Sequence, residues 1–340
     1  MSAQIRQRTS TPVKKKPEYD GNLTTMISTG STLLDLAISG GRVRGGGLPG
    51  GILVEIFGPS GSGKTVLLCE IAGAIQRKKG ELMFFDPEAR LNKTFAEVFD
   101  LDPGDMKYEK PDTIPEMFNA IRKWEPEGEK INGILADSLA ALSTNLEMDN
   151  DEGDKMGMRR PKEFSEQLRK TARILANNNL IMVCSNQIRQ NPDAGPYGEK
   201  YRTPGGTAFP YYASLRLKTS AAKKIKRIEK VKGKEVTRIV GITTTIEVYK
   251  SSVDKPHRMA PVSIIFDYGI DDIRENLIFV KKFTGATTYA IYGKKLAVSL
   301  DKSIEMVEEE GQEEMLREEV IDLWEEIESK FESDRKKKKR

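Results

Sequence analysis

Short apolar runs alternate with amphipathic segments over the first two thirds of the chain. We predict five strands, most of them continuous apolar runs, as in strands that are covered on both faces. These predicted strands are 52–57, 81–86, 131–137, 180–185 and 214–218. Four segments with apolar residues at helical spacing lie among them: 64–79, 91–99, 114–124 and 162–177. The alternation predicts an α/β fold with a doubly wound, mostly parallel sheet, whose ligands bind at the carboxyl ends of the strands.

The pattern changes in the last third of the chain. Residues 236–250 and 261–267 alternate β-branched and polar side chains, which indicates an antiparallel extension of the sheet. Beyond residue 270 a short mixed segment leads to an amphipathic helix with a predicted apolar face. That face consists of Leu316, Val320, Leu323, Trp324, Ile327 and Phe331. We therefore predict a small α+β C-terminal domain after the core.

Polar, unpatterned ends complete the predicted domain organisation. We predict a flexible basic arm at 1–22, a core at 23–270, the C-terminal domain at 271–334 and a basic tail at 335–340. The net charge is +4, and a further basic block at 223–238 holds eight Lys and Arg residues against two Glu residues. Basic blocks are either solvated surface or nucleic-acid contacts, and charge alone leaves both interpretations open.

Composition favours a cytoplasmic globular protein. Hydrophobic residues make up 38% and charged residues 31% of the 340 residues, as in soluble domains. Neither a signal-peptide core nor an apolar run of the ~20 residues that a membrane span needs is evident. Cys69 and Cys184 lie in apolar runs and are predicted to be buried thiols in a reducing compartment. A single histidine argues against a structural zinc site.

A glycine-rich segment follows the first predicted strand and matches G-x-x-x-x-G-K-[ST], the nucleoside-triphosphate loop. Glycines allow the backbone N–H groups to approach phosphate oxygens, and the following helix adds the positive end of its dipole. We predict that Lys64 reaches the β- and γ-phosphates and that Thr65 binds Mg²⁺. The predicted nucleotide-binding residues of the loop are Gly58, Pro59, Ser60, Gly61, Ser62, Gly63, Lys64 and Thr65.

Two acidic residues follow predicted strands near this loop. Asp137 ends an apolar strand and can hold the water shell of Mg²⁺ beside Thr65, although a helix cap is the alternative for such a residue. Glu88 follows the strand 81–86 and can orient the water that attacks the γ-phosphate. An ordinary surface glutamate is the alternative for Glu88.

Five segments resemble, in order and spacing, the core of the bacterial RecA recombinase family. They are GPSGSGKT, FFDPEARL, GILADSLAAL, MVCSNQIR and TPGGTAFPYYASLRL. The resemblance extends from about residue 27 to about residue 266 and continues more faintly beyond. It implies that 23–270 is a RecA-like P-loop ATPase and DNA-binding core, which takes ATP and Mg²⁺. A phage or plasmid origin is compatible with the divergence.

The resemblance also implies roles for individual residues of the ATP site. Lys64, Thr65 and Asp137 match the phosphate and Mg²⁺ ligands, and Glu88 matches the catalytic glutamate. Phe95 matches an aromatic residue that stacks on adenine, with an ordinary core phenylalanine as the alternative. Gln187 resembles a glutamine that senses the γ-phosphate and transmits its presence to a DNA-binding loop.

One element of the family pattern is incomplete. The family places two lysines, two residues apart, to reach the ATP of the neighbouring subunit. Lys250 matches the first, but Ser252 stands at the position of the second. Loss of one such cation weakens the stabilisation of transition-state charge, and Lys255 and Arg258 are the candidate replacements.

The resemblance implies DNA contacts in two long segments, 147–160 and 188–206, and on the predicted helix after the first. A Met-Gly pair wedges between base steps, basic residues contact phosphates and aromatic residues stack on bases. Free N–H groups of two glycines at the start of the next helix hold a further phosphate. The predicted DNA-binding residues are Met156, Gly157, Arg159, Arg160, Arg169, Lys170, Arg189, Tyr197, Lys200, Tyr201, Arg202, Gly205 and Gly206. Plain disorder is the alternative for both segments.

The implied function is ATP-dependent homologous recombination. Many copies form a filament on single-stranded DNA, search a homologous duplex and exchange strands. Expected contact surfaces for the duplex are the basic segment 223–238 and, in the C-terminal domain, Lys281, Lys282, Lys294 and Lys295. The principal alternative is a mediator or filament regulator with the same fold and no strand exchange, and a third is a helicase or clock-type ATPase.

Overall fold

The computed structural model describes residues 25–91, 93–126, 130–144, 159–190, 201–203, 206, 208–333 and 335. The helices, in chain order, are α1 (Thr32–Ser39), α2 (Lys64–Arg77), α3 (Lys93–Glu97), α4 (Ile114–Lys123), α5 (Arg159–Asn177), α6 (Ala208–Tyr212), α7 (Asp272–Thr284), α8 (Leu300–Glu310) and α9 (Glu313–Ser329). Short 3-10 turns span Pro103–Asp105 and Leu139–Ala141. No helix in these ranges is long and apolar enough to cross a membrane.

The strands are β1 (Met26–Ile27), β2 (Leu48–Pro49), β3 (Leu53–Gly58), β4 (Leu82–Phe85), β5 (Lys107–Glu109), β6 (Asn132–Ala136), β7 (Leu180–Gln187), β8 (Arg189–Gln190), β9 (Tyr201–Arg202), β10 (Leu215–Thr219), β11 (Lys223–Val231), β12 (Lys234–Ser251), β13 (Met259–Ile265), β14 (Gly269–Ile270), β15 (Ala290–Ile291) and β16 (Lys294–Lys295).

Ten of these strands form one sheet in the order β14-β13-β12-β10-β3-β7-β6-β4-β5, with β11 paired to β12. The six strands from β10 to β5 are parallel. The remaining four, at the other side, are antiparallel. The predicted α/β fold with a mostly parallel sheet is therefore confirmed, as is its antiparallel extension.

Apolar side chains of successive strand residues fill two layers, one on each face of the sheet. In β4, Phe84 packs into one layer while Met83 and Phe85 pack into the other, as the two-residue repeat of a strand requires. Helices α1 and α2 cover the first layer, and α4 and α5 cover the second. Both faces of the central strands β3, β4, β6 and β7 are thus buried, which is why their sequences are largely apolar. The edge strand β5 is not buried in this way.

The predicted strands at 52–57, 81–86, 131–137, 180–185 and 214–218 correspond to β3, β4, β6, β7 and β10. The predicted helix at 91–99 is shorter, since α3 covers only Lys93–Glu97. Several elements have no counterpart among the predicted strands and helices, including β5, β11, α1, α7 and α8.

Three helices and the β15–β16 hairpin form the small C-terminal unit. Helix α9 packs against α1 and α7 through Leu316 and Val320, both buried as predicted. The predicted apolar face is wrong at Phe331, which lies beyond the end of α9 and is 77% exposed. Helical spacing continues past the last hydrogen-bonded turn, so sequence periodicity overestimates the length of the buried face.

Charged contacts attach α9 to the core. The guanidinium of Arg44 contacts carboxylates on three successive turns, those of Glu318, Asp322 and Glu325, at 2.7 to 2.8 Å. These side chains are about half exposed, so the cluster aligns the helix more than it stabilises the protein.

Candidate active site

The glycine-rich loop joins the end of β3 to the start of α2, at the carboxyl edge of the parallel strands. Gly61 and Gly63 have positive φ angles of 68° and 86°, which L side chains rarely adopt. The Ser62 hydroxyl donates to the carbonyl of Pro59 at 2.8 Å and lies 2.7 Å from the hydroxyl of Thr219. These bonds hold the loop against β10 at the N-terminus of α2, and a glycine-rich loop that leads into a helix is an arrangement that binds phosphate.

Gly58 shows how tightly the loop is held against the neighbouring strand β10. A Cβ atom at this position would lie 1.9 Å from Oγ1 of Thr219 and 2.6 Å from its carbonyl oxygen. Because one of these atoms belongs to the backbone, the strand would have to move to admit any side chain. Gly58 is therefore required by packing.

The Lys64 ammonium lies inside the loop. Its Nζ donates to the carbonyls of Gly58 and Pro59 at 3.1 and 2.7 Å, and the side chain is buried. Burial lowers the pKa of this ammonium, and the nearby Asp137 carboxylate opposes that effect. A desolvated cation at the start of α2, within the glycine-rich loop, fits a polyphosphate, as the sequence predicts for Lys64.

Asp137 lies directly beside Thr65. The Thr65 hydroxyl donates to Oδ2 of Asp137 at 2.5 Å, and the Ser185 hydroxyl donates to Oδ1. The helix-cap alternative for Asp137 is wrong, because Ser138 occupies the cap position of the following 3-10 turn. A hydroxyl and a carboxylate at the phosphate loop are oxygen ligands of the type that Mg²⁺ uses together with water and substrate phosphates, so these residues fit the ion.

Glu88 reaches the same site from the turn after β4. Its Oε1 accepts a hydrogen bond from the Ser138 hydroxyl at 2.8 Å, and its Oε2 pairs with Arg90. The side chain is only 18% exposed, so the interpretation as an ordinary surface glutamate is not supported.

Asp86 holds that turn in place. Its carboxylate accepts from the backbone N–H of Leu91 and from the hydroxyl of Tyr108, both at 2.8 Å. Burial, followed by the bond to Asp86, raises the pKa of the Tyr108 hydroxyl well above its ordinary value. The turn therefore keeps a constant shape, which fixes the direction in which the Glu88 carboxylate points.

Gln187 is the last residue of β7 and is paired in register with Gly58 of the phosphate loop. Two residues further on, β8 begins and pairs with β9, with Arg189 opposite Arg202 and Gln190 opposite Tyr201. This short antiparallel pair closes the base of the predicted DNA-binding segment 188–206. The predicted sensor thus lies between the phosphate loop and that segment.

A buried polar network, not predicted from the sequence, lies beneath the loop. Glu55 in β3 accepts hydrogen bonds from Nε of Arg216 at 2.6 Å and from Nδ2 of Asn186 at 3.0 Å. The Arg216 guanidinium also lies over the rings of Phe57 and Tyr249, at 4.3 and 5.4 Å. A charged residue inside an otherwise apolar strand is the sequence signal that identifies such a group.

Lys250 and its surroundings lie at the other end of β10. The Lys250 ammonium donates to the carbonyls of Pro210 and Tyr211 at 2.8 and 3.2 Å. Partial burial, and then the charge of Arg216, lower its pKa. Ser252 is exposed and its backbone N–H is bonded to Ser214.

The two candidate replacements for the lysine missing at position 252 differ in how far internal contacts occupy their side chains. Arg258 is only 12% exposed, with its two terminal nitrogens bonded to Asp254 and Glu328 at 2.7 and 2.6 Å, and it stacks on Trp324. It is therefore committed to an internal contact, and its candidacy is wrong. Lys255 is 60% exposed and lies 3.7 Å from Glu328, so it stays a candidate.

Phe95, the predicted adenine-stacking residue, is half-buried on α3 and packs edge-on against Phe99 with ring centroids 4.9 Å apart. The contact accounts for one face of the ring. Both the stacking interpretation and the core interpretation remain compatible with this position.

The predicted DNA-binding residues are only partly described. Those outside the described residues are Met156, Gly157, Tyr197, Lys200 and Gly205. Backbone positions alone are assigned for Arg159 at the start of α5 and for Arg189, Tyr201 and Arg202 in β8 and β9. Further along α5 lie Arg160, Arg169 and Lys170, the last paired with Glu166 at 2.6 Å.

Gly206 corrects one expectation. Its backbone N–H donates to the carbonyl of Thr203 at 3.1 Å, so this N–H is not free to hold a phosphate. The following helix, α6, is only five residues long and has a correspondingly small dipole. Gly206 has a positive φ of 60° and is instead a turn residue between the predicted DNA-binding segment 188–206 and α6.

Comparison with known proteins agrees with this geometry. The family model described as RecA N-terminal domain matches residues 13–271. Protein RecA of Ehrlichia chaffeensis is 34% identical over 250 residues, which are 73% of this chain and 66%, slightly under two thirds, of that protein. Protein RecA of Anaplasma marginale is 32% identical over 272 residues, covering 80% and 71% of the two chains. Protein RecA of Colwellia psychrerythraea is 34% identical over 260 residues, covering 75% and 71%. The chain therefore belongs to the RecA family.

Proposed function

We propose that this protein is an ATP-dependent homologous recombination protein that assembles on single-stranded DNA and exchanges strands with a homologous duplex. The observation that carries the proposal is the register of Gly58 with Gln187. It puts the phosphate loop and the entrance to the segment 188–206 on adjacent strand ends. The Gly58–Gln187 pair is thus all that separates the expected position of the γ-phosphate from the segment expected to contact DNA.

The residues around the loop divide the work of ATP hydrolysis. Lys64 exchanges its contacts with the carbonyls of Gly58 and Pro59 for phosphate oxygens, a small movement of an already desolvated ammonium. Thr65 and Asp137 would hold Mg²⁺, which would supply positive charge to the phosphates. Glu88, fixed by Ser138 and Arg90, orients the attacking water and accepts its proton.

Gln187 links hydrolysis to the grip on DNA. Its side chain lies at the edge of the sheet beside Gly58 and directly before β8. A hydrogen bond to the γ-phosphate favours one arrangement of the β8–β9 base, and loss of that phosphate releases it. Filaments therefore bind DNA tightly with ATP and weakly after hydrolysis.

Lys250 completes the site of the neighbouring subunit in the filament. To reach that ATP its ammonium must leave the carbonyls of Pro210 and Tyr211, where its lowered pKa reflects partial burial. Ser252 supplies no second charge, so hydrolysis relies on Lys250 with Lys255 as the exposed cation nearby.

The DNA contacts of the segments 147–160 and 188–206 belong to the same proposal. Arg160, Arg169 and Lys170 lie along α5, which begins where the first segment ends. The mediator alternative requires loss of catalytic residues, whereas Lys64, Glu88, Asp137 and Gln187 are all present and brought to one edge of the sheet. We therefore favour strand exchange, with a reducing cytoplasm as its setting.

The test measures ATP hydrolysis with and without single-stranded DNA, followed by formation of joint molecules between a single strand and a homologous duplex. We expect DNA-stimulated hydrolysis and joint molecules from the wild type and neither from Lys64→Ala. Stimulated hydrolysis without joint molecules would favour the mediator. Absence of both from the wild type would overturn the proposal.

A further inference from the structure

The glutamate assigned to the attacking water has an arginine as its second partner. Oε1 of Glu88 accepts the hydrogen bond from the Ser138 hydroxyl at 2.8 Å, and Oε2 contacts the guanidinium of Arg90. Ser138 is buried, whereas the Arg90 side chain is 66% exposed. The bond from Ser138 therefore fixes the carboxylate, and the exposed guanidinium is the partner that can leave it.

The ion pair between Arg90 and Glu88 is easily exchanged. A pair in which one side chain lies largely in water contributes little to stability, because solvent screens the charges. A guanidinium binds phosphate oxygens through the same parallel N–H groups that it offers to a carboxylate. A phosphate within reach of Arg90 therefore competes with Glu88 for the guanidinium.

The turn that carries both residues is held by its own backbone bonds. Ala89 has a φ angle of 52°, which L side chains rarely adopt, and its N–H donates to the carbonyl of Asp86 at 3.0 Å. The carboxylate of Asp86 accepts from the N–H of Leu91 at 2.8 Å. Backbone strain at a non-glycine residue persists where surrounding contacts impose it, and such positions cluster at functional sites. The exchange at Arg90 therefore needs rotation of its side chain only.

Arg90 lies close to the phosphate-binding end of α2. Its partner Glu88 is bonded to Ser138, which directly follows Asp137. Asp137 accepts the hydrogen bond from Thr65, the second residue of α2, at 2.5 Å. Two hydrogen bonds and one peptide link thus connect the carboxylate that holds Arg90 to the helix N-terminus that receives the phosphates.

The ATP site has fewer cations than the family pattern provides. The second lysine is missing at Ser252, and one of its two candidate replacements, Arg258, is bound to two carboxylates. Nucleoside triphosphatases supply a cation for the transition state either from a neighbouring protein or from the same chain. Arg90 is a cation of the same chain, and it already lies beside the residue that directs the water.

We propose that Arg90 is a further catalytic residue, which leaves Glu88 and binds oxygens of the γ-phosphate during hydrolysis. The water oxygen forms its bond to the γ-phosphorus, and the bond from that phosphorus to the oxygen shared with the β-phosphate breaks. The vacated Oε2 of Glu88 accepts the proton of the water, while Arg90 stabilises the charge of the transition state. The inference rests on the proposed function and adds a residue to its ATP site.

The test compares full-length wild type, Arg90→Gln and Arg90→Lys. For Arg90→Gln the kcat of DNA-stimulated hydrolysis should fall about 100-fold, with KM for ATP changed by less than about three-fold. Fluorescent ADP with Mg²⁺ and aluminium fluoride mimics the transition state, and its binding without DNA should weaken about 100-fold, whereas ADP alone should bind as to the wild type. Arg90→Lys keeps the charge without the parallel N–H groups and should recover part of both losses.

Arg77→Gln is the matched control, because Arg77 is also exposed and paired with a carboxylate, at the other end of α2. It should change neither hydrolysis nor binding of the mimic. Normal binding of the mimic by Arg90→Gln would overturn the inference, and so would faster hydrolysis, which would show that Arg90 only restrains Glu88. A wild type that binds the mimic but forms no joint molecules would contradict the proposed function alone.

Discussion

Nε of Arg216 donates a 2.6 Å hydrogen bond to Oε2 of Glu55, and the side chains of both residues are buried. The two residues are register partners on adjacent parallel strands, one leading into the phosphate loop and the other pairing with the strand of Lys250. The ion pair thus connects β3, which leads into the phosphate loop, to β10, whose antiparallel partner β12 carries Lys250, the residue proposed to serve the neighbouring site.

Glu55→Gln should destabilise the protein by about 3 kcal/mol, because it leaves the Arg216 charge buried without a counter-ion. Urea unfolding followed by the fluorescence of the buried Trp124 measures the change. Arg77→Ala is the control, since its pair with Asp100 is exposed at both ends and should cost less than about 1 kcal/mol. Equal losses of unfolding free energy in the two variants would show that the buried pair contributes no more than the exposed one.

Two glycines of the phosphate loop should respond differently to alanine. At Gly61 a Cβ meets nothing within 4 Å, so Gly61→Ala carries only the cost of a positive φ, about 1 kcal/mol. At Gly58 it collides with Thr219, so Gly58→Ala should lower the melting temperature by at least about 5 °C and abolish ATP binding. Calorimetric titration with ATP and thermal unfolding measure both effects. Tight ATP binding by Gly58→Ala would contradict the packing argument.

Ser252→Lys should raise DNA-dependent ATP hydrolysis about ten-fold, because it restores a second cation two residues from Lys250. Ser252 is exposed, so the longer side chain needs no rearrangement. Ser252→Gln has similar bulk without charge and serves as the control. If lysine and glutamine behave alike, the residue at 252 does not contribute to the neighbouring site.

Stability should depend on pH through Asp35, whose burial raises its pKa to about 6 despite bonds from Ser28 and Thr29. The folded state then binds this proton more tightly than the unfolded state, so the contribution is present at low pH and is lost as pH rises from about 4 to about 6. Over that window the wild type should lose about 3 kcal/mol relative to Asp35→Asn. Urea titrations of both proteins at several pH values across the window give the difference in unfolding free energy. The prediction fails if the unfolding free energies of the two proteins change with pH in parallel.

The sequence predicts five of the six parallel strands, because most of them are continuous apolar runs, and the ligand loop is a contiguous motif; β5, with the sequence Lys-Tyr-Glu, is not predicted. The strand β11 is not predicted, since basic residues with no core to face give no alternation of apolar and polar positions. Contacts between distant segments are equally inaccessible. Glu55 and Arg216 are 161 residues apart, and their pairing follows from strand order rather than from any local pattern.

Within the site, the acidic residues and the lysine of the loop lie where their motifs predict. The wrong expectations concern what neighbours do to a residue. Arg258 is occupied by Asp254 and Glu328, and the N–H of Gly206 is taken by Thr203. The type of a residue indicates which ligands it can bind. Whether its polar groups are free to do so depends on which other residues the fold places next to it.

The length and pairing of strand β12 determine where it can bend. It runs without a loop from Lys234, beside the tip of the β11–β12 hairpin, to Ser251, next to Lys250, a length of roughly 60 Å. Strand β13 pairs with residues 241–247 of β12, β10 pairs with residues 246–251, and β11 pairs with residues 234–243, so the end at 234–239 has a partner strand on one edge only. Register shifts in its pairing place β-bulges near Val240 and Tyr249, so bending of β12 is concentrated at these two positions, between the hairpin tip and Lys250.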